Sequence, residues 1–444
     1  MTDHLNFLGD IIGKAIAKGA SAADAILVDS VSQDVSVRYG KLEKLERSAS
    51  ADVGLRVFIG KKQSVVSSSY SNLTEINEVV DRAVAMAKAS PDDPYCGLAD
   101  KNDSLIGEHK HHNADDSDIG EEKLQEWAKK AEDAAQAVKG VTKSEGGDAH
   151  ASRSKIYLVN SNGLAGEYDQ SSFSVSASVI AGEGTGMERD YDYSSAVFYK
   201  DMISPDIIGR KAGERAVRRL NPRKVKTQQV PVVFDPRVAR GIVGYVASAI
   251  NGATVARGTS FLKSKMGQQI FKGSINIIDD PSRPRALRSR PFDAEGIATR
   301  NIHFIEGGYL KNWIMDCRSA RQLGLHSTGH AVRGVSSVPS PSISNFYLAS
   351  GSVTPQQLMA DIKQGFYVTE TMGMGVNLVT GDYSQGASGF WIENGQIAYP
   401  VSEVTIAGHL SEMFMELTPA NDLEFKYGVD SPTIRVGQMT LAGQ

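Results

Sequence analysis

Residues 24–71, with the sequence DAILVDSVSQDVSVRYGKLEKLERSASADVGLRVFIGKKQSVVSSSYS, decide the fold class of this chain. Apolar side chains alternate with polar ones in two parts of the stretch, at Val35 and Val37 and at Leu55, Val57 and Ile59. Such alternation is typical of β-strands that bury one face. Tyr39-Gly40 and Gly60-Lys61 separate these segments and predict turns. The stretch therefore predicts several short strands in an antiparallel meander.

Amphipathic helices are predicted on both sides of this meander. Apolar residues recur at helical spacing in four segments, residues 3–18, 72–90, 120–139 and 204–220. Asn72 and Glu75 have the spacing of a capping box for the second helix. Residues 91–119 are polar and turn-rich, and strand patterns return between residues 155 and 199. Helices and strands thus come in blocks, which favours an α+β fold over alternating βαβ units.

The C-terminal half is predicted to be rich in β-structure. An opening helix begins at Asp235-Pro236, glycine-rich strand patterns then dominate, and one short helix is expected at residues 409–416. The segment NPRKVKTQQ, residues 221–229, breaks the preceding helical pattern before a new apolar strand begins. We therefore predict two domains, an α+β domain at 1–225 and a β-rich domain at 226–444.

Composition limits the functional classes that fit the chain. It has 444 residues and a net charge of −4, with a pI of about 6.2, so nucleic-acid binding is not indicated. We interpret the basic run from Arg210 to Lys226 as the solvated outer face of a helix. No apolar run approaches the ~20 residues of a membrane-spanning helix, and no secretory signal is recognisable. The only cysteines, Cys96 and Cys317, fit a reducing cytoplasm.

Residue patterns that would indicate catalysis are sparse. The serine-hydrolase pattern G-x-S-x-G does not occur in the sequence. His326 and His330 are four residues apart, as two ligands on a helix would be, but the glycines around them predict a loop. Cys317 precedes a predicted helix start, where a thiol pKa can be lowered, although a small buried thiol is the commoner role. These three residues are the weak candidates for a metal or an independent catalytic site.

Several stretches of the chain together resemble one family. They are VSVRYGKLEKLERSASADVGLRVFIGKKQSVVSSS at 35–69, DDPYCGLAD at 92–100, LGLHSTGHA at 323–331 and GDYSQGASGFWIENGQIAYPVSEVTIAGHL at 381–410. By these stretches the chain is identified as a member of the TldD/PmbA family, and the last three resemble its PmbA (TldE) branch. The resemblance covers essentially the whole chain and implies a metalloprotease-like C-terminal domain.

The resemblance also implies where a zinc site would lie. The TldD branch carries H-E-x-x-x-H on a helix, followed by R-G-T-S, which is present here at residues 257–260. Counting back without a gap places the first histidine at Val243, the glutamate at Gly244 and the second histidine at Ser248. No cysteine follows Asn421, where the TldD branch has a further ligand. We therefore expect no catalytic residue, no metal and no cofactor in this chain.

The function implied is that of a non-catalytic subunit in a cytoplasmic metallopeptidase complex. A TldD-type subunit would supply zinc and form a heterodimer with this chain, which would form a homodimer when alone. Small unfolded peptides are the implied substrates, as in peptide-antibiotic maturation and antitoxin degradation. Two alternatives stay open: an independent peptidase that uses His326, His330 or Cys317, and a modulator of DNA gyrase.

Overall fold

A computed structural model describes residues 3–70, 76–373 and 375–444 of the chain. The helices within these residues are α1 Asp3–Ala17, α2 Ile76–Ala89, α3 Glu121–Gln136, α4 Pro205–Arg218, α5 Pro236–Ala249, α6 Gly252–Ala256, α7 Cys317–Leu323, α8 Pro355–Met359 and α9 Leu410–Glu416. Among the described residues, none of these helices combines the length and the apolar character needed to cross a membrane.

One large sheet organises the N-terminal half. Its strands are β1 Ala22–Arg38, β2 Lys41–Ile59, β3 Lys62–Ser69, β4 Gly107–His111, β5 Val141–Asn160, β6 Leu164–Ala181 and β7 Glu188–Ala196. The strand order is β3-β2-β1-β5-β6-β4, and β7 also pairs with β6. Only β4 runs parallel to its neighbour; the other pairs are antiparallel.

The predicted meander is confirmed, including both turns, but its strands are longer than expected. β1 has 17 residues and β2 has 19, and they pair from Ala22 opposite Phe58 to Arg38 opposite Lys41 with one register shift, between Ser36 and Val37. The middle of β1, residues 29–34, is polar except for Val31 and breaks the apolar alternation. It stays extended because β2 and β5 pair with it on both edges.

Helices cover one face of this sheet. Ala23, Ala25 and Leu27 of β1 pack in a cluster with residues of α1 and α2. Val35 and Val37, further along the strand, pack with residues of α3 and α4. Because all five positions are odd-numbered, they point to the same face of β1. The two helix pairs therefore lie side by side along one long strand.

The opposite face of the sheet packs against the C-terminal half. Ile26 and Leu158 form a small cluster there with Phe292, and Val28 and Val335 pack against it. Gly54 of β2 is required at this contact, since a Cβ atom at that position would lie 2.0 Å from the carbonyl oxygen of Val335. The backbone of the C-terminal half thus sits directly on the sheet.

The C-terminal half is built from many short strands and one closed ring of longer ones. Its strands are β8 Gln228–Phe234, β9 Ile277–Asp279, β10 Ile302–Glu306, β11 Tyr309–Leu310, β12 Ala331–Val332, β13 Ser340–Pro341, β14 Phe346–Leu348, β15 Gln364–Met372, β16 Asp382–Glu393, β17 Gln396–His409, β18 Thr418–Pro419, β19 Val429–Asp430 and β20 Ile434–Ala442. The order β17-β16-β15-β8-β20 closes because β20 also pairs with β17. A second sheet, β11-β10-β9-β14-β19, shares its core with α5.

The α+β class is confirmed, and several local predictions need correction. Residues 91–119 were expected to be polar and turn-rich, and the strand that they also contain, β4, was not expected; it pairs with the start of β6. In the C-terminal half, the helix start expected after Cys317 is present as α7, whereas α6 and α8 were not expected. The capping box at Asn72 and Glu75 lies outside the described residues. The division near residue 225 stays a prediction.

A buried ion network joins the two halves. Asp24 of β1, Arg56 of β2 and Arg333 of the C-terminal half have side chains that are at most 3% exposed. Both arginines donate hydrogen bonds to the Asp24 carboxylate. Burial alone would raise the pKa of Asp24, but Arg333 and Arg56 hold it below its ordinary value. The docking of the halves therefore depends on an ionised carboxylate.

The basic run at the end of α4 contributes to a second junction, so its interpretation as a solvated face is wrong for Arg219. Arg215 pairs with Asp192 at 2.6 Å, and the guanidinium of Arg218 lies 4.5 Å from the ring centre of Phe390. Arg219 is 11% exposed and pairs with three acidic residues, Glu188, Asp190 and Glu370. Phe390 and Glu370 belong to the C-terminal half, so Arg218 and Arg219 tie the halves together.

Asp24→Asn is expected to lower the free energy of unfolding by about 3–5 kcal/mol, because two buried guanidinium groups lose their compensating carboxylate. Denaturant unfolding at neutral pH measures the loss. Asp29→Asn, at an exposed position of the same strand, is the matched control and should change stability by less than about 0.5 kcal/mol. A loss below about 1 kcal/mol for Asp24→Asn would contradict the role assigned to this network.

Candidate functional site

Helix α5 is fixed firmly in the C-terminal core. Asp235 caps its N-terminus by accepting a hydrogen bond from the Arg237 amide at 3.0 Å, and it also accepts one from the Tyr367 hydroxyl at 3.0 Å. Pro236 occupies the first helical position, where its missing N–H costs nothing. The apolar stripe that faces the core comprises Ala239, Ile242, Val243, Val246, Ala247 and Ala249.

The three positions at which the resemblance would place a zinc motif lie in different environments. Val243 is 1% exposed and packs in the core, whereas Gly244 has no side chain and Ser248 is exposed. The Ser248 hydroxyl donates a hydrogen bond back to the Gly244 carbonyl at 3.0 Å. Zinc in a catalytic site needs about three converging nitrogen, sulfur or carboxylate ligands. These residues do not fit a zinc ion.

The R-G-T-S segment that follows α5 has a structural role in this chain. Gly258 adopts a φ of 74°, which favours glycine. Ser260 is buried, and its hydroxyl donates to the carbonyl of Ala249 at the end of α5 over 2.6 Å. The same oxygen accepts from the Leu262 amide at 3.0 Å. The segment therefore satisfies a helix C-terminus that would otherwise be unpaired.

A cleft of about 450 Å³ lies beside the exposed face of α5. The N-terminal half lines it with Asp190 and Tyr191 of β7, and the C-terminal half with Tyr427 and with Gly241 and Gly244 of α5. A Cβ atom added to either glycine would meet nothing within 4 Å. The cleft is thus a composite of both halves, and the glycines give it an open floor.

The cleft carries an excess of positive charge. Its lining includes the acids Asp190 and Glu370 and five arginines, Arg189, Arg219, Arg237, Arg240 and Arg288. Arg237 pairs with the buried Asp190 at 3.0 Å, and Arg240 lies 4.3 Å from the ring centre of Tyr427. In the part of the chain that the structure describes, Arg240 and Arg288 have no carboxylate within ion-pairing distance. These two guanidinium groups can bind an anionic group such as a peptide carboxylate.

An unpaired strand edge also borders the cleft. Among the described residues, the pairing of β15 with β8 ends at Val368, while its pairing with β16 continues to Met372. Thr369, Glu370 and Thr371 lie beyond that end and line the cleft. A strand edge of this kind can bind an extended peptide through backbone hydrogen bonds. The strand edge, the two glycines of α5 and the arginines together can bind an unfolded peptide.

Of the residues singled out in the sequence through the resemblance, only Gly244 lines this cleft. Val243, Gly244 and Ser248 were identified through the resemblance. The arginines were missed because they are distributed from residue 189 to residue 288, and only Arg237 and Arg240 have helical spacing. No local pattern in the sequence indicates that β7 and α5 meet.

The weak metal candidates have separate partners. The side chain of His326 is 90% exposed and lies 3.6 Å from Asp103. His330 is buried, where its Nδ1 lies 2.7 Å from the Thr328 carbonyl oxygen and its Nε2 lies 3.2 Å from Asp279. Burial and the neighbouring Glu295 raise the pKa of the Cys317 thiol well above its ordinary value. No group of three or more His, Cys, Asp or Glu residues placed to hold a metal occurs in residues 3–70, 76–373 and 375–444.

Glu295 is a buried acid with an unusual proton affinity. It accepts a hydrogen bond from the Cys317 amide at 2.7 Å, and its side chain is near Asp293. Burial raises the pKa of both carboxyl groups, and the charge of Asp293 adds to the effect on Glu295, whose pKa reaches about 7. Glu295 therefore titrates near neutral pH in the folded chain.

Gly244→Ala is expected to raise the free energy of unfolding by about 0.5–1 kcal/mol, because alanine loses less backbone entropy in a helix and nothing obstructs its Cβ atom. Gly213→Ala in α4 is the contrasting control. Its Cβ atom would lie 2.6 Å from the Val138 side chain, so this variant should be destabilised. Denaturant unfolding compares the two variants. Destabilisation by Gly244→Ala would contradict the open space that the structure shows beside Gly244.

The stability of the chain is expected to fall as pH rises from about 4.5 to about 7, because Glu295 binds its proton more tightly when folded than when unfolded. The contribution is complete below the unfolded pKa and is lost through the folded one, by up to roughly 3 kcal/mol. Glu295→Gln should remove it, so unfolding measured at pH 5 and pH 8 should differ less in the variant. Equal pH dependence in both proteins would contradict the shifted pKa.

Comparison with known proteins gives a consistent result along the whole chain. Models of the PmbA/TldA metallopeptidase match domain 1 at residues 23–87, the central domain at 114–220 and the C-terminal domain at 227–443. The chain is 35% identical to metalloprotease PmbA of Escherichia coli O157:H7, over 97% of this chain and 94% of that protein.

Solved structures share the complete fold. A proposed modulator of DNA gyrase from Bacteroides thetaiotaomicron superposes with a TM-score of 0.91 at 25% identity, with 100% of both chains covered. TldE from Thermococcus kodakarensis superposes with a TM-score of 0.84 at 20% identity, over 98% of this chain and 99% of that chain. The resemblance inferred from four stretches of sequence is confirmed: the chain belongs to the PmbA/TldD metallopeptidase family.

Proposed function

We propose that this chain is the PmbA (TldE)-type subunit of a cytoplasmic TldD/TldE metallopeptidase complex and does not itself carry out hydrolysis. The observation that supports this most directly is helix α5. Its motif positions offer a buried valine, a glycine and a serine whose hydroxyl is bonded to the backbone. A TldD-type partner supplies the zinc and forms a heterodimer with this chain, which forms a homodimer when it is alone.

The cleft beside α5 contributes to the binding of small unfolded peptides. Arg240 and Arg288 attract an anionic end or side chain, and residues 369–371 of β15 present backbone groups to an extended segment. This chemistry is largely independent of side-chain sequence, as peptide maturation and the degradation of short unfolded proteins require.

Regulation of DNA gyrase receives less support. Arg215, Arg218 and Arg219 of the basic run are engaged by acids and an aromatic ring of this same chain. The charges of Arg215 and Arg219 are therefore partly compensated within this chain, which weakens the attraction for phosphates, on which nucleic-acid affinity mainly depends.

The purified chain is expected to hold no stoichiometric zinc and to leave an unstructured peptide intact, whereas a mixture with a TldD-type chain should cleave it faster than that chain does alone. Elemental analysis after dialysis and mass spectrometry of the peptide test both points. About one zinc per chain that is lost on His326→Ala or His330→Ala would support an independent peptidase instead. A partner that cleaves equally fast without this chain would also contradict the proposal.

A substitution in the cleft and a matched control outside it test the role of the cleft in peptide binding. Arg240→Ala should raise the KM of the complex for short peptides several-fold, because an anionic contact is lost. Arg300→Ala removes an exposed arginine that does not line the cleft and should leave the KM unchanged. Equal KM values in the two variants would contradict a contribution of Arg240 to peptide binding.

A further inference from the structure

The outer edge of β2 is free over half of its length. Its partner β3 covers only the stretch from Asp52 to Ile59. Residues 41–50 are exposed, and among the described residues they pair only with β1. An uncovered strand of this length presents a row of backbone donors and acceptors to another chain.

Exposed apolar side chains cluster on this edge. Leu42 is 45% exposed and Leu45 is 48% exposed, and Tyr39 at the hairpin tip is 55% exposed. Side chains that protect a free strand edge from pairing with another chain are typically polar or charged. Two half-exposed leucines therefore need another explanation.

A β-bulge places both leucines on one face of the sheet. Leu42 lies opposite Val37 and Leu45 lies opposite Val35, so Glu43 is the extra residue. In a regular strand, positions 42 and 45 would point to opposite faces. Here both share the face of the buried valines.

The edge is also held rigidly. The carboxylate of Glu132 in α3 is fully buried. It accepts hydrogen bonds from the amides of Tyr39 at 2.6 Å and Gly40 at 2.9 Å, and one from the hydroxyl of Ser144 at 2.5 Å. Helix α3 thereby anchors the hairpin tip next to the free strand. A partner would meet an edge that is already ordered, which reduces the entropy cost of binding.

The sequence of the edge is complementary to itself. Residues 41–46 read Lys-Leu-Glu-Lys-Leu-Glu. When this segment lies antiparallel to a second copy about a two-fold axis between Glu43 and Lys44, Lys41 meets Glu46, Leu42 meets Leu45 and Glu43 meets Lys44. Every charge then faces its opposite and every leucine faces a leucine. The bulge makes this register possible, because both leucines lie on the same face.

We propose that residues 41–46 of β2 form a symmetric docking edge for a second copy of this chain, joining two N-terminal sheets into one continuous sheet. This proposal rests on the proposed function in one respect, that the chain pairs with itself. It adds the surface through which the two copies meet and the register of the paired strands. Opposite charges and apolar pairs placed directly across strands stabilise the pairing, and like charges weaken it. A two-fold interface of this kind uses the same patch on both copies.

Reversal of single charges tests the register. Lys41→Glu and Glu46→Lys each place like charges opposite one another twice, so each variant alone should dimerise about tenfold or more weakly than the unaltered chain. An equimolar mixture of the two variants restores every opposite-charge contact. It should form a 1:1 dimer with an affinity close to that of the unaltered chain, as measured by sedimentation velocity.

Two substitutions on α1 match these changes in charge. Asp10→Lys and Lys14→Glu alter exposed positions far from the edge and should leave dimerisation unchanged. Single edge variants that dimerise as tightly as the unaltered chain, a mixture without restored affinity, or an unaltered chain that stays monomeric would each overturn the proposal. Peptide cleavage with the TldD-type chain is measured separately, so failure of the docking edge is distinguishable from failure of the proposed function.

Discussion

The carboxylate of Asp24 lies between two arginines, and the arrangement of both halves of the molecule depends on that contact. Asp24 and Arg56 are direct neighbours across β1 and β2, while Arg333 arrives from the other half. Three charges with almost no solvent contact are tolerated only when they compensate one another, and here the Asp24 carboxylate bonds both arginines although Nε and Nη2 of Arg333 have no hydrogen-bond partner among the described residues. A slip of one residue between the strands would turn Asp24 to the opposite face. The network therefore specifies strand register and docking together.

The docking of the two halves also determines the shape of the cleft. One wall is β7 of the N-terminal sheet and the other is α5, and Asp190 of the first wall holds Arg237 of the second. Arg219 adds a contact from the end of α4 to Glu370 of β15. Because acidic groups on one half hold basic groups on the other, the distance across the cleft is set by ion pairs. A peptide would meet a preformed site rather than one that must assemble.

Local patterns in the sequence predicted the features that depend on local physics. The alternation at Val35 and Val37 and the turn at Tyr39-Gly40 were sufficient for the meander, and the fold class followed from it. The length of β1 could not be predicted, because its polar middle stays extended only through pairing with two neighbours. The role of Glu132 was invisible for the same reason: an acid on a helix caps a turn that is 92 residues away in sequence. The arginines of the cleft converge through domain docking, which no short window of sequence encodes.

The residues of α5 have a physical explanation in two parts. Core packing accounts for Val243, and Ser260 together with Asp235 fixes the two ends of the helix. Packing does not account for Gly241 and Gly244, because both have open space where a side chain would lie. Each costs helix stability of roughly 0.5–1 kcal/mol relative to alanine. A helix that served only as scaffold would gain stability if both positions were filled, so the open space supports the proposed approach of a peptide to the helix backbone there.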